Sequence, residues 1–168
     1  EACVLLPLSQ MELSAPWSPT VSCTDAAPGG HGLAYAHVPL AVSQRWTRWC
    51  SFKGTYTSLL EDGELFPGPD KCPFLVAKLP LSDYFWHEVH RPGGYRHISE
   101  EEFAAANWGL ERRLMSPSTF GSRSLEGLDN TTVMGAILRG RSSSRVIHRH
   151  CRKRMAVCLA GNLSPFHF

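Results

Sequence analysis

Three carboxylates in this chain, Asp25, Glu102 and Asp129, stand where an apolar segment ends or a helix begins. Asp25 closes the run Val21-Ser-Cys-Thr-Asp25 just ahead of Pro28-Gly-Gly30. Asp129 closes the run Ser122 to Leu128, and Glu102 follows Ser99 by three residues. A charge at the end of an apolar strand costs desolvation energy unless it binds something. Three such charges at one point repel unless cations lie between them. An all-oxygen set suits hard divalent ions. Two Mg2+ ions roughly 4 Å apart would activate a water and stabilise the leaving oxygen in phosphodiester cleavage. Each acid also has a plain structural use: Asp25 as a turn former, Glu102 as the far end of a capping box from Ser99, Asp129 as a helix cap. Their joint order is what points to a site.

The elements that would position them follow from the pattern. A strand over Thr20–Thr24 and a second over Gly32–Val38 flank the Pro28-Gly-Gly30 turn, where glycine tolerates positive φ. Val42–Phe52 reads as a short helix with Trp46, Trp49 and Cys50 on one side, and Leu75–Leu81 as a strand bounded by Pro73 and Pro80. Pro92-Gly-Gly94 opens a short strand, Tyr95–Ile98, and Ser99 caps a helix that runs to Met115. After the strand ending on Asp129-Asn130, a helix covers Val133–Leu138 and a second covers Arg145–Ala160. In that last helix Ile147, Cys151, Met155 and Cys158 share one side, with Arg145, Arg149, Arg152 and Lys153 roughly opposite. Leu163–Phe168 reads as a final strand. In this order the first and fourth strands are parallel neighbours, which sets Asp25 beside Asp129 with Glu102 on the helix above.

The totals are consistent with one domain. The chain has 168 residues, 43% of them hydrophobic, which suffices for a core. No run approaches a membrane span, and no signal peptide is visible, so the chain reads as a piece of something longer. Its six cysteines form no Cys-x-x-Cys pair and read as reduced core residues of an intracellular protein. The net charge of +2 conceals an asymmetry: the stretch from Arg139 onward holds seven Lys and Arg and no acid. Such a block is a candidate polyanion surface, or simply a solvated helix face.

The run Thr24-Asp-Ala-Ala with Gly30-His-Gly32 resembles the first hairpin of the ribonuclease H domain in retroelement reverse transcriptases. Tyr95-Arg-His-Ile-Ser with Glu102-Phe-Ala-Ala105 resembles its third strand and helix. Leu128-Asp-Asn-Thr-Thr-Val with Arg139-Gly-Arg-Ser-Ser-Ser144 is similar to its third-acid segment, as found in DIRS-like elements and related protist retrotransposons. The resemblance covers about 20–38 and 93–168. It implies an α/β, ribonuclease H-like mixed five-stranded sheet with flanking helices. Residues 1–19 would be a lead-in and 39–92 an insertion between strands two and three, with the domain's C-terminal end missing. It implies hydrolysis of the RNA strand of an RNA–DNA hybrid, with Asp25, Glu102 and Asp129 ligating two Mg2+ ions. Arg139, Arg141, Arg145 and Arg149 would hold backbone phosphates. The family carries a fourth acid, and no Asp or Glu follows Asp129 here. Two alternatives therefore stand beside the nuclease: an inactive ribonuclease H-like module serving as a structural or interaction subunit of a larger assembly, with protein partners, and a nucleic-acid-binding module that uses only the basic 139–154 segment.

Overall fold

The structure is a computed structural model that describes residues 14–27, 30–47, 50, 84–90 and 97–168, with backbone alone at 84–90. The strands are β1 (Trp17–Ala27), β2 (Gly30–His37), β3 (Tyr84–His90), β4 (Arg123–Gly127) and β5 (Ser164–His167). The helices are α1 (Leu40–Trp46), α2 (Ile98–Leu114), α3 (Thr131–Arg139) and α4 (Arg145–Gly161). The strands lie in one mixed sheet in the order β3-β2-β1-β4-β5. β1–β2 and β2–β3 are antiparallel, and β1–β4 and β4–β5 are parallel. The chain is therefore a mixed α/β fold with flanking helices, as its pattern leads one to expect.

Each face of the sheet is covered differently. On one, Val21 and Leu125 pack with Val38 and Cys50 beneath the half-buried Trp46 of α1 and Phe166 of β5. On the other, α2 lies so close to β1 that a Cβ at Gly109 would stand 2.7 Å from Thr24 Cγ2. Glycine at this point lets the helix, and Glu102 with it, approach the strand. α4 then packs on α2 and α3 through two apolar clusters. Phe103, Val133, Ala136, Ile147 and Cys151 form one, and Leu110, Val157 and Leu163 the other. Gly140 (φ 65°) and Asn162 (φ 48°) end α3 and α4 in the left-handed region.

Several elements differ from the sequence reading. β1 begins at Trp17 rather than Thr20, taking in the end of the expected lead-in. Pro19 is tolerated because β1–β4 pairing breaks between Trp17 and Val21, so no ladder bond needs its missing N–H. The strand expected at Tyr95–Ile98 is not where the sheet finds its partner for β2. That partner is Tyr84–His90, and Ile98 already begins α2. Residues 91–96, which hold Pro92-Gly-Gly94 and the start of that expected strand, lie outside the described residues. The helix cap is His97, whose Nδ1 accepts the Ser99 N–H at 3.2 Å, and Glu100 occupies the third helical position. Glu102 lies beyond reach of a capping box, so that use of it is gone. The short helix ends at Trp46 instead of Phe52. The strand expected at Leu75–Leu81 lies outside the described residues, as do residues 1–13 and most of 39–92.

On α4 the buried stripe steps from Cys151 to Arg154 and Val157, leaving Met155 53% exposed. The expected stripe put Met155 inside because a four-residue step was followed where the helix takes three. An arginine at the buried position made that step illegible.

Candidate metal centre

Register explains why two of the acids meet. β1 and β4 run parallel with Cys23 opposite Gly127. Two residues further along each chain stand Asp25, still in β1, and Asp129, just past the end of β4. Neighbouring strands lie about 4.8 Å apart, so both carboxylates reach one point. α2 crosses above and lowers Glu102 between them. One carboxylate oxygen from each of Asp25, Glu102 and Asp129 lies within 4.8 Å of the others. Asn130 caps α3, its Oδ1 accepting the Val133 N–H at 3.1 Å, so Asp129 is not the cap. Asp25 Oδ1 accepts the N–H of Ala26 at 2.7 Å, which turns the carboxylate across its own strand end.

Asp25 and Asp129 are exposed, whereas Glu102 is 8% exposed. Burial, then the charges of Asp129 and Asp25, push the Glu102 carboxyl up to about 7. The three acids together are an all-oxygen set that could hold a metal ion, and the mutual repulsion is what a cation would relieve.

A pH dependence follows. Glu102 takes up its proton more readily in the folded chain than at its ordinary value of 4.5. Its contribution to stability is therefore fully present below pH 4.5 and is lost as pH rises through about 7. A cation must displace that proton. Mn2+ affinity measured by calorimetry is expected to rise about tenfold per pH unit up to pH 7 and flatten above it. Glu102→Gln should remove this slope and leave the metal-free chain more stable above pH 7 by on the order of 1–2 kcal/mol, with no gain at pH 4. A metal affinity that stays level between pH 5 and 8 would contradict the assignment.

The basic residues separate into two groups. Arg139, Arg141, Arg145 and Arg149 are all exposed. Arg145 and Arg149 line a shallow open groove along α4 with His148, Arg152 and Lys153. Arg139 and Arg141 sit at the α3–α4 junction and do not line it. Lys153 also pairs with Glu111 of α2.

Sequence reasoning missed a buried polar cluster next to the site. Glu126 of β4 is 5% exposed and pairs closely with Arg154 Nη2 of α4. Arg113 of α2 stands 3.9 Å from its other oxygen, and His167 Nδ1 of β5 3.8 Å from the first. Arg154 Nη1 also donates to the Ala106 carbonyl at 3.3 Å, and Arg113 Nη2 to Ser22 Oγ and the Thr20 carbonyl at 3.4 Å. Burial alone would raise the Glu126 carboxyl, but Arg154 and the other cations outweigh it and hold it below the usual carboxylate range. Burial and then Arg154 push His167 down to about 4, so it is neutral at pH 7. The only signal in the sequence was an acid inside an otherwise strand-like run. Its partners come from three other elements.

Cys23, Cys50, Cys151 and Cys158 are free thiols. Burial pushes Cys50 up to about 12 and Cys158 to about 11, so neither is a ready nucleophile. Among the described residues no helix is long and apolar enough to cross a membrane. No protein-family model, curated relative or solved structure matches the chain.

Proposed function

We propose that the chain is a ribonuclease H-like domain of retroelement reverse-transcriptase type, whose acid triad supports Mg2+-dependent hydrolysis of the RNA strand of an RNA–DNA hybrid. The observation that carries this reading is the convergence of Asp25, Glu102 and Asp129 within 4.8 Å at the ends of two adjacent parallel strands. A hairpin, a third antiparallel strand, a helix and a parallel fourth strand, in the order 3-2-1-4-5, is consistent with a ribonuclease H-like sheet. The donor chemistry favours Mg2+ over softer metals because every ligand is a carboxylate oxygen.

Asp25, Glu102 and Asp129 would hold the ion. Once bound, it supplies a polarised phosphoryl oxygen and a water of lowered pKa. The chain's own residues do the rest. Asp25 and Asp129 are exposed among the described residues, which leaves them open to a phosphodiester backbone there. Glu102, held from below by burial, gives up its proton near neutral pH. Arg145, Arg149, Arg152 and Lys153 offer a row of cations to backbone phosphates, a contact blind to base sequence. Mg2+ commonly completes its shell from substrate phosphate, so three carboxylates are enough to begin with.

The test is a hybrid labelled on its RNA strand. Mg2+-dependent cleavage that EDTA abolishes, with duplex DNA left intact, is the expected result. Tight cation binding with no cleavage of any hybrid would sink the nuclease and favour the inactive module, because the stretch after Asp129 brings no fourth acid.

Hybrid binding should weaken with salt. Replacing Arg145 and Arg149 by alanine should reduce the log–log salt slope by about two and weaken binding equally for all sequences. A slope left unchanged in that variant would remove the α4 groove from the interface.

A further inference from the structure

Three consecutive acids, Glu100, Glu101 and Glu102, occupy the first turns of α2, and the helix sends each in a different direction. Only Glu102 enters the triad. Glu101 Oε2 meets His31 Nε2 of β2 at 2.9 Å, and Glu100 Oε1 lies 3.9 Å from His150 Nε2 of α4. His31 is 3% exposed, and its other ring nitrogen is buried without a hydrogen-bond partner among the described residues. Nε2, facing Glu101 Oε2, is thus the ring nitrogen of His31 that has a hydrogen-bond partner among the described residues. Leaving Nδ1 buried and unpaired costs free energy, which the bond to Glu101 offsets.

His31 is also well placed in the sheet. It pairs with Ala26, beside the Asp25–Gly32 pair, so it is fixed to the strand end that carries the first acid. Its ring centroid lies 6.5 Å from that of Trp108, two turns along α2 from Glu101. The imidazole therefore ties the start of α2 to the same strand pair that presents Asp25. Adjacent residues of a helix point about 100° apart, so a rotation of one residue would offer Glu101 to the aspartates in place of Glu102.

We infer that His31 is a positioning residue for the metal centre: its hydrogen bond to Glu101 fixes the rotation of α2 that delivers Glu102 to Asp25 and Asp129. The inference rests on the triad binding a cation, as proposed above. His150, stacked on Phe103 with centroids 5.6 Å apart and taking the Asn107 side-chain N–H on its carbonyl at 3.1 Å, supports the same turn from the α4 side. Outer groups that orient metal ligands commonly change affinity by about 10–100-fold when removed.

The experiment is Mn2+ titration calorimetry on the wild-type chain and on His31→Leu, Glu101→Leu, the double variant and His31→Gln, with amide exchange of Phe103 and Ala104 followed in each. His31→Leu and Glu101→Leu should each weaken Mn2+ binding by about tenfold. The double variant should be no weaker than either single one, and His31→Gln, which keeps an N–H donor, should recover most of the loss. The two amides should exchange faster in both leucine variants and not in His31→Gln. Leucine variants that bind Mn2+ like the wild type, or single losses that multiply in the double variant, would overturn the tether. A wild-type chain that binds no Mn2+ refutes the metal reading instead. The amide exchange then still decides whether His31 holds the turn, and unchanged exchange in both leucine variants overturns it.

Discussion

Asp129→Asn is expected to cost at least about a hundredfold in Mg2+ or Mn2+ affinity and to reduce metal-dependent cleavage of a hybrid to background. The reasoning is geometric. Asp129 provides one of the three carboxylates that meet at the centre among the described residues, and its neighbour Asn130 already caps α3. Removing the Asp129 charge therefore takes away a ligand and leaves the helix start intact. Loss of groups that merely orient ligands costs about 10–100-fold, so loss of a ligand should cost more. Asp25→Asn should behave alike, since Asp25 stands level with Asp129 across the β1–β4 pair. Thermal unfolding of the metal-free Asp129→Asn chain should show no loss of stability, because one of the charges that raise the Glu102 carboxyl has gone. Undiminished cleavage by both asparagine variants would end the nuclease proposal. A fall in activity accompanied by a matching fall in stability would show that Asp129 serves the fold instead.

The second large effect concerns stability. Glu126→Leu should destabilise the chain by about 3–5 kcal/mol, and Arg154→Met by clearly less. Glu126 is the one acid among Arg154, Arg113 and the neutral His167. Its removal strands two buried guanidinium groups. Removal of Arg154 leaves the carboxylate with Arg113 at 3.9 Å, so part of the compensation survives. Denaturant midpoints for the two variants measure the difference. A reversed order would mean that the packing of the Arg154 stem against α2, rather than charge balance, dominates.

The candidate site was legible in the sequence to an unusual degree because its acids sit at element ends. Strand ends and helix starts leave local marks: the Pro28-Gly-Gly30 turn after Asp25, the Asp129-Asn130 pair before an apolar helix. Helix α4 was legible from its polar and apolar sides, except at Arg154, where a charged residue points inward and breaks the pattern. The strand that pairs with β2 was not legible because Tyr84–His90 mixes aromatic and charged residues without a clean alternation. The Glu126 cluster was invisible for a different reason. Its members come from β4, α2, α4 and β5, and only tertiary packing shows that they meet. His31 lies between the Pro28-Gly-Gly30 turn and the expected second strand, and nothing local connects it with Glu101.

The parallel pairing of β1 with β4 has one more consequence. Asp25 and Asp129 are separated by most of the chain, and no short segment contains two of the three acids. A peptide, a nascent fragment or a half-unfolded molecule therefore cannot form the centre. Cation uptake at the triad becomes a report that β1 and β4 have paired with α2 in place. By mass action, the ion also rewards that step alone: at a hundred times its dissociation constant it would add about 2.7 kcal/mol to the assembled state and nothing to any partly built one.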